Sequence, residues 1–181
     1  FSACLGCEAG KYQNENAAKD VRCKYCEEGT EFESSSTACS DCAPGKYQSK
    51  NNAAGVRCKF CEVGKEFRSK KLTCRTCANQ TYQSENAAAH AKCKRCVSGR
   101  SYVNITHDCA GCPPGEYQDT EGSGSIECKK CSAGQYAKSA VVNCTYCEAG
   151  KFQELNAAVE YQCKLCTAGF AFVNRSSSCV E

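Results

Sequence analysis

Methionine and tryptophan are absent from this 181-residue chain, proline occurs three times, and leucine, isoleucine, valine and phenylalanine are scarce. A short module this poor in aliphatic side chains cannot bury enough apolar surface to offset its chain entropy. A single oily core is thereby excluded, and something covalent or metallic must make up the shortfall. No run of about 18 apolar residues occurs, which excludes a membrane-spanning helix. Charge of one sign is also lacking: 23 basic and 20 acidic residues are well mixed, for a net charge of +3. That is the surface of a soluble protein and excludes the basic footprint of a nucleic-acid binder. No 3.6-residue apolar periodicity persists over a dozen residues, so long helices are not expected. No signal peptide is visible and the chain begins at Phe1, which reads as a mature or trimmed piece of a longer secreted product.

What the chain does have is cysteine, 21 residues of it, far above the level that marks a cross-linked scaffold. Ten C-x-x-C pairs and a final Cys179 begin at positions 4, 23, 39, 58, 74, 93, 109, 128, 144, 163 and 179. The steps alternate 19 and 16 without a slip, so a 35-residue unit recurs five times, the signature of a stacked array. The expected repeats are 1–38, 39–73, 74–108, 109–143 and 144–178, with 179–181 the start of a further repeat or a stub. The expected fold class is small and disulfide-rich: an elongated tandem array of five units built of short β-hairpins and loops, with little or no helix. Segments such as K-Y-Q and V-R-C-K are long enough only for short paired strands.

Aligned at the 35-residue period, the units form columns. Gly10, Gly45, Gln80, Gly115 and Gly150 follow the odd pairs; Gly29, Gly64, Gly99, Gly134 and Gly169 follow the even ones. Glycine recurring after a cross-link indicates a turn with positive φ, and Gln80 implies that one such turn tolerates a Cβ. Aromatics follow at Tyr12, Tyr47, Tyr82, Tyr117 and Phe152, and at Phe32, Phe67, Tyr102 and Phe172. They are read as the noncovalent core, each ring lying against nearby sulfurs. In the fourth unit Tyr136 comes one place early and Ala137 takes the slot, so a bulge or local repacking is expected there. Gln13, Gln48, Gln83, Gln118 and Gln153 are identical in all units and are read as structural clamps on loop backbone. The next loop reads N-A-A from Asn16, Asn52, Asn86 and Asn156. In the fourth unit it becomes Gly122-Ser123-Gly124-Ser125, read as a flexible tip. Each loop closes on C-K-x-C, with Lys24, Lys59, Lys94, Lys129 and Lys164 between the cysteines.

The spacing C-x2-C-x15-C-x2-C also suits a four-cysteine zinc site. Against zinc stand the lone Cys179, the lack of a supporting helix or hydrophobic cluster, and four N-x-[ST] sequons at Asn79, Asn104, Asn143 and Asn174. Sequons act on secreted chains, where thiols oxidise. For disulfides, parity leaves two pairings open. One joins Cys4 to Cys23 and Cys7 to Cys26, and strands Cys179. The other is a sequential ladder: Cys7–Cys23, Cys26–Cys39, Cys42–Cys58, Cys61–Cys74, Cys77–Cys93, Cys96–Cys109, Cys112–Cys128, Cys131–Cys144, Cys147–Cys163 and Cys166–Cys179. It leaves only Cys4 unpaired in this chain. The ladder is favoured because it places one cross-link in every loop. A closed loop of 15 residues contributes about 3 kcal/mol in the chain-entropy model.

The pattern C-x-x-C-x-x-G-x-[YF], as in Cys39 through Tyr47 and Cys109 through Tyr117, resembles the ephrin-receptor-like cysteine-rich repeat. It is related in style to tumour-necrosis-factor-receptor modules. The resemblance extends over nearly the whole chain and implies an extracellular array. In the latter modules the cysteine preceding x-x-G-x-Y bonds the next one along, which agrees with the ladder. The family's frequent Cys-Pro step is kept only at Cys112-Pro113. Long tandem copies are also similar to cysteine-rich surface antigens and appendage proteins of protists, including ciliate immobilisation antigens.

No catalytic constellation emerges. His90 and His107 fall in different columns without a repeated partner, the acids Glu27, Glu28 and Glu31 cluster in one unit only, and ten evenly spaced C-x-x-C pairs read as scaffold, not redox dithiols. The leading expectation is a non-enzymatic, cofactor-free, glycosylated extracellular rod or filament, a surface-coat or appendage component. Its expected partners are further copies of itself, other surface proteins or glycans, and N-linked sugars at the four sequons. The alternative is a ligand-binding ectodomain of a receptor or adhesion protein. There the lysine column with Arg22, Arg57 and Lys92 would form a ridge for anionic glycans, against the blander reading of a face neutralised by Glu8, Glu27, Glu62 and Glu148.

Overall fold

The computed structural model describes residues 5–17, 19–121, 126–156 and 162–181. Cys4 and the Gly122–Ser125 tip lie outside the described residues. The chain divides into two compact units, one comprising Phe1–Ala78 with Tyr82–Cys93, the other Asn79–Thr81 with Lys94–Glu181.

In each unit the local architecture follows from the cysteine spacing. The two residues inside a C-x-x-C form one short strand, and the two after the following glycine turn form another. In the first unit Thr30–Glu31 pairs with Ser40–Asp41, Lys46–Tyr47 with Lys59–Phe60, and Lys65–Glu66 with Arg75–Thr76, all antiparallel. In the second, Arg100–Ser101 pairs with Ala110–Gly111, Glu116–Tyr117 with Lys129–Lys130, Gln135–Tyr136 with Thr145–Tyr146, and Lys151–Phe152 with Lys164–Leu165. Isolated bridges join Tyr12 to Lys24 and Ala171 to Val180. The fold is a small disulfide-rich one of strands and loops, with no helix among the described residues.

The cysteines flanking each two-residue strand point their bonds in opposite directions along the sequence. The first closes the loop behind it and the second opens the loop ahead. The first unit holds Cys7–Cys23, Cys26–Cys39, Cys42–Cys58, Cys61–Cys74 and Cys77–Cys93. The second holds Cys96–Cys109, Cys112–Cys128, Cys131–Cys144, Cys147–Cys163 and Cys166–Cys179. With these twenty cysteines joined to one another, no four-thiolate zinc set remains among them, which corrects that alternative.

The glycine turns have a defined chemistry. Lys46 N–H donates to Ala43 O at 3.0 Å, with Pro44 and Gly45 as the central residues and Gly45 at φ 79°. Glu116 and Pro113 repeat this across Pro114 and Gly115. This is a type II turn, in which proline presets the first central φ and glycine takes the positive second one. Gln80 keeps the same conformation, φ 66°, without the glycine.

Two expectations need correction. The aromatics are not the core: apart from Phe152 the column rings are half-buried or exposed, because a hairpin of two-residue strands is too small to enclose a ring. The enclosed side chains are cystine sulfurs, Val56, Ala91, Ile126, Phe152, and the amides of Gln48, Gln83, Gln118 and Gln153. Nor is there a bulge at Tyr136, since Gln135 faces Tyr146 and Tyr136 faces Thr145 in the same register as the other even hairpins. The early tyrosine turns its ring to the opposite side of an unbroken ladder.

Candidate functional site

The surface that recurs is the one each repeat presents to the next. The even-column glycine sits at its centre. Gly29, Gly64, Gly99 and Gly134 each donate their N–H to the carbonyl of the next repeat's column glutamine, Gln48, Gln83, Gln118 and Gln153, at 2.7 Å in every case. The same glycines accept from the N–H of Cys42, Cys77, Cys112 and Cys147 at 2.8–2.9 Å. All four are buried, which leaves no room for a side chain; a Cβ on Gly99 would come within 2.7 Å of Val141 Cγ1.

A second contact lies beside the first. The N–H groups of Phe32, Phe67 and Tyr102 donate to the carbonyls of Val56, Ala91 and Ile126 at 2.8–2.9 Å. Those three aliphatic residues are each under 10% exposed and form the apolar centre of the face. Sequence reading missed them because the column varies between valine, alanine and isoleucine; their common offset, two residues before a C-K-x-C, was the available signal. Acidic and amide side chains complete the face. Glu31 accepts from Cys58 N–H at 3.2 Å, Asn51 from Glu28 N–H at 3.0 Å and Asn156 from Ala133 N–H at 2.9 Å. The column partner of Asn156 is thus Asn51, not Asn52. Asn52 instead takes φ 54°, the conformation Ala17 and Ala87 adopt at φ 56° and one asparagine tolerates well.

The column glutamines clamp the loops in two ways. Gln48 Nε2 donates to Glu27 O and Thr30 O, each at 3.2 Å, while its Oε1 accepts from Lys50 N–H. Gln153 likewise reaches back to Gln135 O at 3.3 Å and forward to Leu155 N–H. Gln83 and Gln118 turn Nε2 forward, to Glu85 O and to Thr120, leaving Oε1 buried without a partner. Gln13, half-buried, uses both amide atoms on Glu15.

The lysine column is no open ridge. Lys24 pairs with Glu15 at 3.3 Å, Lys129 with Asp119 at 3.0 Å and Lys164 with Glu154 at 3.2 Å. The acids foreseen as neutralisers serve other lysines: Glu8 meets Lys11, Glu62 meets Lys65 and Glu148 meets Lys151, at 2.6–2.8 Å. In each of these turn pairs the hydrogen bond from lysine holds the carboxyl below its ordinary range and raises the lysine. The hydrogen bond from Lys129 lowers Asp119 likewise.

All four sequon asparagines are exposed. Asn104 Oδ1 accepts from both Thr106 N–H and Thr106 Oγ1 at 2.9 Å; Asn174 Oδ1 accepts from Ser176 N–H at 2.9 Å and Ser176 Oγ at 3.0 Å. Asn143 instead accepts from the N–H of its neighbour Cys144 at 2.7 Å. His107 Nδ1 lies 2.9 Å from Asn104 Oδ1 and 3.0 Å from Thr106 Oγ1, so it is part of that turn. His90 is exposed.

Hairpins of two-residue strands, a cystine in every loop and a self-repeating contact face define a cysteine-rich repeat protein. Residues 99–140 match the family described as tyrosine-protein kinase ephrin type A/B receptor-like. Together with the ten-disulfide pattern, this match supports a cysteine-rich ephrin-receptor-like repeat. No curated protein matches the chain. Such a repeat accords with an extracellular repeat protein or receptor ectodomain, a class that is typically non-enzymatic. No helix among the described residues is long and apolar enough to cross a membrane.

Proposed function

We propose that the chain is a structural repeat protein of the extracellular space, a glycosylated, disulfide-stapled component of a rod or filament in a surface coat or appendage. The observation that carries this reading is the sameness of the junctions. The glycine-to-glutamine bond is 2.7 Å at each of four steps, and the glycine is buried at each. A receptor of this build would be expected to set one repeat apart for its ligand, whereas a material reuses one contact. The sequon turns at Asn104 and Asn174 present both asparagines on exposed loops, in keeping with attached sugars.

Electron microscopy of native material, with a disulfide map and intact mass before and after enzymatic deglycosylation, tests the proposal. Extended assemblies carrying N-linked sugar and negligible free thiol are expected. A globular, sugar-free particle with reduced cysteines would refute it.

A second reading, the ligand-binding ectodomain, draws on a groove of about 440 Å³ lined by Tyr47, Lys50, Val56, Arg57 and Lys59, among others, with no acidic residue in its wall. Retention of sulfated glycan by a monodisperse monomer, abolished by Arg57→Glu, would favour it over the structural role.

A further inference from the structure

The two ends of the chain carry the two halves of the junction described above. In the fifth repeat the column equivalents of the donors are Ala168, Gly169 and Phe172. Their N–H groups have no partner among the described residues, and neither does Gly169 O. Gly169 is exposed where Gly29, Gly64, Gly99 and Gly134 are buried. In the first repeat the equivalents of the receiving groups are equally free: Gln13 O, Val21 O, Asn16 Oδ1 and Cys7 N–H. Val21 is 42% exposed, while its column mates Val56, Ala91 and Ile126 are all under 10%. The 35-residue period pairs these groups one to one: Gly169 N–H with Gln13 O, Cys7 N–H with Gly169 O, Phe172 N–H with Val21 O, Ala168 N–H with Asn16 Oδ1.

The chemistry of the fifth face departs from the other four in one direction. Thr30, Lys65, Arg100 and Gln135 give way to Phe170; Glu31, Glu66, Ser101 and Tyr136 give way to Ala171. Phe170, Phe172, Val173 and Val180 are all between 41% and 52% exposed. A terminal repeat that faces water needs a polar outer surface; this one has become more apolar than the repeats before it.

We propose that the fifth-repeat face binds the first-repeat face of a second copy of this chain, head to tail, through the hydrogen-bond set that already joins consecutive repeats. Val21 and Phe172 meet at its centre. Such a contact is heterologous and does not close on itself, so it propagates. The proposal deepens the structural reading and rests on it, by naming the surface through which copies assemble.

Val21→Arg and Phe172→Arg, both at exposed positions, each block one end and leave the other intact. Sedimentation velocity of the full oxidised chain across a concentration series is expected to show mass rising several-fold for the unaltered protein. Each variant alone should stay monomeric, and an equimolar mixture of the two should stop at a one-to-one pair. Peptide mapping of each variant's disulfides verifies that the fold is kept. A monomeric unaltered chain would overturn the proposal and leave the face to a repeat continued in the same polypeptide; so would variants that polymerise as the unaltered chain does. Either result leaves the free-thiol and glycan measurements, and hence the extracellular reading, standing on their own.

Discussion

Gly45 and Gln80 hold the same slot in neighbouring repeats, with nearly the same backbone, φ 79° and φ 66°. Their surroundings differ. A Cβ on Gly45 would overlap the backbone of Ala89 in the following loop, and one on Gly10 would lie 2.7 Å from the Ala54 backbone. Opposite Gln80, by the period, the N-A-A loop has been replaced by Gly122-Ser123-Gly124-Ser125. Ile126, the first described residue beyond that stretch, donates its N–H to Gln80 Oε1 at 3.3 Å. The one non-glycine in the column and the one altered loop therefore answer each other. The turn does not tolerate a side chain in general; it tolerates one where the facing loop has changed to receive it.

Moving the glutamine should break this correspondence most. Gly45→Gln places a side chain against Ala89 in a conformation that already disfavours one, and a loss of about 3 kcal/mol is expected in denaturant unfolding of the oxidised protein. Replacing residues 86–90 with the 121–125 sequence in the same variant should recover a large part of that loss. No recovery would sink the idea that the two positions compensate.

The buried glutamines come next. Gln153→Ala removes bonds in both directions and is expected to cost about 2 kcal/mol, against about 1 kcal/mol for Gln118→Ala, whose Oε1 has no partner to lose. Equal losses would show that the two clamp arrangements are energetically the same.

Gln80→Gly should change stability by less than about 1 kcal/mol, because relief at positive φ offsets the lost hydrogen bond. Its sharper signature is faster hydrogen exchange at the Ile126 amide.

Smallest is the response to pH. The carboxyls of Glu8, Glu62 and Glu148 are depressed in the folded state by their lysines. Their contribution is therefore present above the unfolded-state value and lost as pH falls through the folded one. These pairs are fully exposed, so the melting temperature should hardly move between mildly acidic and mildly basic pH. Only a slight fall is expected in strong acid, and a steep loss near neutrality would mean that a buried titrating group governs the fold.

The period, the disulfide-rich class and the absence of helix could be read from the cysteine spacing, because covalent spacing leaves little freedom to a chain with so few aliphatic residues. The glutamine column stood out as invariant, and its members are buried in four of five repeats. Three things were not legible. Val56, Ala91 and Ile126 differ in identity while sharing a carbonyl that the next backbone needs, and a backbone bond leaves no mark on residue type. Asn51 was passed over for Asn52 because N-A-A was matched by letters and not by its distance from cysteine. The role of Gln80 depends on a partner more than forty residues away, so within its own repeat it reads only as an exception.

Because each loop is closed on itself and only two residues lie between one cystine and the next, tension applied to the ends would bypass most of the backbone. The Cα atoms across each bridge are 5.5–5.8 Å apart, whereas the residues they enclose could otherwise pay out at about 3.5 Å apiece. Oxidised, the chain is close to inextensible; reduced, it would lengthen severalfold, so its redox state sets its mechanical reach.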